Sequence, residues 1–257
     1  MVDDPLATAE LTVIGQVTTA SNVTLVCETG EGLRVVYKPV RGERPLWDFP
    51  DGTLAAREVA SYLVSQALGW GVIPETVLGQ GPFGPGMVQR WIEVVEDGEG
   101  PDLVDLCPVD AVPPGYREVL RALDPAGHPV SLVHAQDPGL LRMAVLDVLI
   151  NNADRKGGHA LAGRDGRVYG VDHGICLHAE PKLRTVLWGW AGERVADELL
   201  TDITVLVKAL PGELGERLAG LITDAEIEAL EARGRGLLED PVMPRPSGQR
   251  PIPWPAF

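Results

Sequence analysis

Cys27, Cys107 and Cys176 are too few and too scattered in this 257-residue chain for a disulfide framework or a paired-cysteine metal site. They read as reduced, mostly buried thiols. Positive charge is also scarce. The 22 Lys and Arg stand against 37 Asp and Glu, a net charge of −15, and only four of the 22 are lysines. That field repels phosphate polymers and anionic bilayers, which argues against nucleic acid and membrane as partners. No window approaches the roughly eighteen continuous apolar residues of a spanning helix. The opening MVDDPLATAE also lacks the basic flank and apolar run of a secretory signal, so the expectation is a cytoplasmic chain without stable membrane insertion. What the chain does have is globular composition, 45% apolar and 23% charged, with 30 glycines and 22 prolines implying short elements joined by tight turns.

Apolar and polar residues alternate in three runs, Leu11 to Val17, Val23 to Cys27 and Leu33 to Lys38, parted by Thr18 to Asn22 and by Gly30-Glu31-Gly32. This predicts a three-stranded antiparallel meander. TLAAREVASYLVSQAL then carries a helical stripe, with Gly69 suited to a left-handed stop. Val72 to Leu78 and Gly86 to Val95 read as two more strands, closing a first lobe of five strands and one helix over residues 1–92. In a second lobe over 93–238, Asp102 to Pro114 reads as irregular and Tyr116 to Leu123 as a short helix. Asp137-Pro138 reads as the N-cap and first position of a helix through Ile150. A hairpin, His159 to Ala162 and Val168 to Asp172, is expected around a two-residue Asp-Gly turn, with amphipathic helices over Arg194 to Leu210 and Asp224 to Leu238. The tail, 239–257, has six prolines in nineteen residues, reads as extended, and is a candidate for engaging a partner.

Lys38 closes the strand VVYKP, where a buried ammonium must find a carboxylate or reach solvent. Glu58, twenty positions on in the helix, is the candidate mate. The alternative is a surface lysine and an unrelated, solvated glutamate. LDVLINNADRKGGHAL gathers Asp154, Arg155, Lys156 and His159 at a helix exit, and VYGVDHG ends a strand with Asp172, a position suited to holding a hard divalent cation. Either aspartate taken alone reads sooner as an ordinary cap beside an Asp-Gly hairpin. Together, a meander, a strand lysine, a helix glutamate, a loop aspartate and a hairpin ending in an aspartate follow the chain order of a protein-kinase-like phosphotransferase.

REVASYLVSQALGWGVIPETVL resembles the first-lobe helix and following strand of phosphatidylinositol 4-kinases and HipA-type toxin kinases, and NNADRKGGH resembles their catalytic loop. Over Leu11 to Leu210 the chain looks most like an actinobacterial phosphatidylinositol 3- and 4-kinase-related family. The resemblance implies an α+β, bilobal, protein-kinase-like fold, with a five-stranded antiparallel first lobe and a mainly helical second. It implies ATP and a divalent cation, Mg²⁺ or Mn²⁺. By this likeness Lys38 would hold the nucleotide phosphates and Glu58 would brace it. Thr19, Ser21 and Asn22 would cover the phosphates, although their turn contains no glycine. The backbone of Gln89 and Trp91 would bond adenine, Asp154 with Arg155 beside it would handle the acceptor hydroxyl, and Asp172 would hold the metal. Five positions after Asp154 the related kinases carry an asparagine where this chain has His159, which reads as a metal ligand or phosphate contact suited to Mn²⁺.

Three functional readings stay open at this point. The chain is a phosphotransferase acting on a protein or small-molecule hydroxyl, a nucleotide-binding pseudokinase scaffold, or an AMP-transferring enzyme on the same fold. A zinc site at His173, Cys176 and His178 and an acceptor platform at Trp188 and Trp190 are lesser alternatives.

Overall fold

The structure, a computed structural model, describes residues 5–18, 22–50, 53–96, 102–248 and 250–257. A short helix α1 (Pro5–Thr8) leads into β1 (Leu11–Gln16), β2 (Leu25–Thr29) and β3 (Arg34–Pro39). Helix α2 (Leu54–Ala67), β4 (Thr76–Gly81) and β5 (Gly84–Arg90) complete an antiparallel sheet in the order β1-β2-β3-β5-β4. The expected meander and helix are present, and the chain leaves α2 through Gly69 at φ +69°. The fourth strand begins later than Val72, because Val72 and Ile73 are buried in the main core instead of pairing.

Period-two alternation decides what this sheet shows to each side. In β3, Val35 and Tyr37 are fully buried in a small core with Leu6, Leu25, Cys27 and Val88. Val36 and Lys38 therefore face the opposite way, toward a cleft. Helix α2 closes the back of that cleft and is buried nearly all round, so both of its adjacent charges, Arg57 and Glu58, are sequestered. Its start is tied twice. Thr53 accepts the Ala56 N–H, and the Glu43 carboxylate accepts those of Leu54 (3.0 Å) and Ala55 (2.8 Å).

The rest of the chain departs further from expectation. β6 (Val104–Pro108), β7 (Tyr116–Leu123) and β8 (Pro129–Ala135) form a second antiparallel sheet, ordered β6-β8-β7. Tyr116–Leu123 is thus a strand, not a short helix, and Asp102 to Pro114 is not wholly irregular. Arg, Glu, Leu and Ala favour helix locally, but β8 presents VSLV with all four residues at least half-buried, and pairing with it overrides that preference.

Helix α3 (Pro138–Leu149) matches its reading, with the Asp137 carboxylate accepting the Gly139 and Leu140 N–H groups. β9 (Ala160–Ala162) and β10 (Val168–Gly170) form the hairpin, closed by the Gly163 N–H on the Arg167 carbonyl. Its loop is therefore three residues, Arg164–Gly166, not two, with Gly166 taking the left-handed position at φ +79°. Helices α4 (Asp197–Ala209), α5 (Glu213–Ala219) and α6 (Asp224–Glu239) follow. The main core centres on α3, whose Leu140, Met143, Leu146 and Leu149 are fully buried, and extends to Ile203 and Leu206 of α4 and Leu230 of α6. Among the described residues no helix is long and apolar enough to cross a membrane.

Candidate active site

The cleft between the first sheet and the α3 side has a volume of about 450 Å³, within the range of small-molecule sites. Lys38, Glu58, Asp154, His159 and Asp172 all line it. Lys38 Nζ lies 2.7 Å from Glu58 Oε1 and 2.7 Å from Asp172 Oδ1, so one ammonium joins a carboxylate from α2 to one that follows β10. Burial works against the Lys38 charge, but the Asp172 and Glu58 carboxylates outweigh it and raise the pKa above its ordinary value. Lys38 in turn, opposed by burial, holds the Asp172 carboxyl well below the usual carboxylate range. Asp172 keeps half of its side chain open within the cleft although protein crowds it elsewhere, so solvent screens this pair more than the Lys38–Glu58 one. Its backbone is left-handed, φ +61°, a conformation that aspartate tolerates better than most residues and that turns the carboxylate out of the strand.

The loop after α3 is built by its asparagines. Asn151, left-handed at φ +52°, donates from Nδ2 to the His178 and Glu180 carbonyls and accepts the Lys182 N–H. Asn152 Oδ1 accepts the Asp154 N–H at 2.9 Å while its Nδ2 donates to Asp147. Asp154 is thereby presented to the cleft, with Lys156 Nζ 3.4 Å from its Oδ2. Burial raises its pKa, and Lys156 partly offsets this.

His159 meets Asp172 from the other side. Its Nδ1–H donates to the Asp154 carbonyl at 3.1 Å, which leaves the Nε2 lone pair 3.3 Å from Asp172 Oδ2. Burial holds the imidazole neutral, with a pKa of about 4. A neutral nitrogen lone pair and a carboxylate oxygen converging on one point repel each other unless a cation lies between them. The donor set therefore fits a divalent ion of the Mn²⁺ type. Among the described residues no group of three or more His, Cys, Asp and Glu could hold a metal alone, so the remaining ligands would come from phosphate and water. The same observation removes the zinc reading: His173 points instead at Arg155, and Cys176 is a buried free thiol.

Other expectations are displaced. Arg155 does not reach the cleft. It is fully buried, bonds both Asp147 oxygens, the His159 and Val171 carbonyls, and His173 Nε2 at 2.7 Å. It organises the loop and is not placed to touch a substrate. Gln89 lies inside the ladder between Val36 and Thr76 with its amide on Thr76 Oγ1, and the Trp91 N–H is spent on the Arg34 carbonyl. Neither backbone donor is free for an adenine. Among the described residues, the Ile92 N–H and carbonyl, in the cleft lining, and the N–H of the neighbouring Glu93 have no hydrogen-bond partner. Thr19 and Ser21 lie outside the described residues. Asn22 lines the cleft, and its Oδ1 accepts the Arg44 N–H. Trp188 and Trp190 are packed inward, with Trp190 stacked on His134, so they form no exposed platform.

The sequence reading leaves out Asp147 altogether and notes Lys156 and His173 without the contacts they make here. A lone aspartate inside the apolar run MAVLDVLI must be paired, and that was the available signal for Asp147. His173 completes a buried chain, because its N–H donates to Glu58 Oε2 at 2.9 Å while its ring accepts from Arg155. The polar path thus runs from Asp147 through Arg155 and His173 to Glu58 and Lys38.

No protein-family model matches the chain. Protein Rv2133c of Mycobacterium tuberculosis is 59% identical over 261 residues, spanning 98% of this chain and 94% of that protein. Among solved structures, the Golgi casein kinase superposes with a TM-score of 0.51 at 13% identity, covering 91% of this chain and 72% of that one. The same kinase with Mn and ADP bound gives 0.54 at 14% identity, covering 91% and 73%. At such identities the likeness shows the fold alone, and the fold is kinase-like: mixed α and β with antiparallel sheets.

Proposed function

Since this chain belongs to the same family as Rv2133c of Mycobacterium tuberculosis and folds like a kinase, we propose that it is an ATP-dependent phosphotransferase. It moves the γ-phosphoryl group onto a hydroxyl of a protein or small molecule. The observation that carries this reading is Lys38 Nζ at 2.7 Å from both Glu58 and Asp172 in a cleft that also presents Asp154. The likeness of REVASYLVSQAL and NNADRKGGH to phosphatidylinositol 4-kinases and HipA-type kinases supports it further.

Lys38, kept cationic and aimed by Glu58, binds phosphate oxygens. Asp154 orients the acceptor hydroxyl and takes its proton, and its raised pKa brings it closer to the operating pH of a general base. Lys156 beside it adds positive charge where the transferred group passes. Asp172 and His159 would hold a divalent cation, which would supply neutralisation of phosphate charge. The Ile92 N–H and carbonyl and the Glu93 N–H, without partners among the described residues, take the adenine edge. Catalysis here is alignment and charge neutralisation, without a covalent intermediate on the protein.

The test is ATP labelled at the α or the γ position, incubated with wild type and with Asp154→Ala. Transfer of γ label that drops at least about a hundredfold in Asp154→Ala, while ATP still raises the melting temperature, is expected. Transfer of α label instead would establish AMP transfer, and a melting shift with no transfer of either label would establish a nucleotide-binding scaffold.

A further inference from the structure

The proline-rich tail is docked on its own chain. The Pro241 carbonyl accepts the Val195 N–H at 2.8 Å, the Met243 carbonyl accepts the Gly192 N–H at 2.8 Å, and the Met243 N–H returns to the Glu193 carbonyl at 2.9 Å. Further on, the Pro251 carbonyl accepts both the Thr185 N–H (3.1 Å) and the Trp188 indole N–H (2.9 Å). The Ala256 carbonyl accepts the Gly157 N–H at 2.8 Å. The Phe257 ring lies so close to the Gly157 α-carbon that a Cβ there would come within 2.5 Å of its Cε1. Gly157 opens the single 3₁₀ turn, Gly157–His159, that ends on the imidazole facing Asp172.

These contacts share a chemistry. Pro251, Pro253 and Pro255 have no N–H and a fixed φ, so alternate positions of the segment are acceptors only and it loses little conformational freedom when it docks. The donors it satisfies, at Gly157, Thr185 and Trp188, belong to loops with no sheet partner for those groups. None of Pro251–Phe257 lines the cleft, so whatever the segment does to the site it does through Gly157 and Thr185.

We propose that Pro251–Phe257 is a strap that positions the Asp154 loop, with Phe257 acting through Gly157 as a positioning residue for His159. In the 257-residue chain carrying Phe257→Ala, amide exchange across residues 154–159 should accelerate roughly tenfold, the effect of losing one packing contact and loosening one hydrogen bond. Phe257→Leu should keep most of the protection. Gly157→Ala should mimic Phe257→Ala, and the double variant should exchange no faster than Phe257→Ala alone, because the new Cβ occupies the space the ring vacates. Unchanged exchange in Phe257→Ala, or fully additive effects in the double variant, would overturn the strap.

A second arm rests on the phosphotransferase reading above. Phe257→Ala should raise the half-saturating Mn²⁺ concentration about fivefold while the KM for ATP at saturating Mn²⁺ stays within about twofold of wild type. A uniform loss of turnover that tracks a lowered melting temperature would overturn the positioning role. If wild type transfers no label, that reading fails by itself and the exchange result alone decides the strap.

Discussion

His159 is the residue on which the proposed chemistry turns, because its Nε2 and Asp172 Oδ2 approach within 3.3 Å at one edge of the cleft. Its replacement by asparagine exchanges a nitrogen donor for an amide oxygen, which hard cations prefer. His159→Asn should therefore preserve or raise Mg²⁺-dependent turnover while lowering the preference for Mn²⁺, and complete loss of turnover with both metals would count against a ligand role. A separate expectation concerns stability. His134 and His159 have pKa values of about 4 and His173 lies well below the ordinary value, in each case chiefly through burial. Unfolded, each titrates near about 6.5. Between about pH 6.5 and 4 the unfolded chain holds more protons than the native one, so stability falls with falling pH, by up to about 1.4 kcal/mol per pH unit per histidine. Lys38 and Asp172 do not blunt this fall, since the native pKa of the first is raised and that of the second depressed, both away from the window. Melting temperature measured from about pH 7 down to about pH 5 should decline steadily, and a flat profile would contradict the buried, neutral assignment.

Helix α2 is the element that couples the two sides of the cleft. Glu58 faces Lys38, and the adjacent Arg57 pairs with Glu226 of α6 at 2.6 Å with both side chains almost wholly buried. Glu226 also completes the capping box of α6 with Thr223. Glu226→Gln should therefore cost about 3 kcal/mol in urea unfolding, because it leaves a buried guanidinium without its counter-charge. A loss under about 1 kcal/mol would show the pair to be solvated. Much of this scale was legible in the sequence: strand alternation placed Lys38, and the need to pair it pointed to Glu58. The second sheet was not, because YREVLRAL carries local helix preference and its partner β8 contributes contacts that only the folded chain supplies. The place of Arg155 is hidden for a related reason: the kinase resemblance puts it in the site beside Asp154, whereas the loop's turn sends the guanidinium inward to Asp147, a helix residue eight positions earlier.

Across the whole molecule, the order of chemical groups along the chain was more informative than any single motif. Lys38, Glu58, Asp154 and Asp172 come from a strand, a helix, a loop and a hairpin end, and the fold brings all four to one cleft. What order cannot convey is backbone commitment: Gln89 and Trp91 read as available until the ladder and the Arg34 carbonyl claim their N–H groups, which leaves Ile92 as the cleft-lining residue whose backbone has no partner among the described residues. The ion pair from Lys38 to Asp172 has a thermodynamic corollary. These two charges already cancel, so a polyphosphate arriving alone must draw the ammonium away from its carboxylate, and a dication alone must compete with that ammonium. Together they exchange one pairing for two, so Mn²⁺ and ATP should each tighten the other's binding by the same factor. Calorimetric titration of ATP at graded Mn²⁺ should show that reciprocity in wild type. In Asp172→Asn, metal-free ATP should bind more tightly than in wild type and added Mn²⁺ should bring little further gain, so the loss of one negative charge would turn a two-ligand lock into a plain anion receptor.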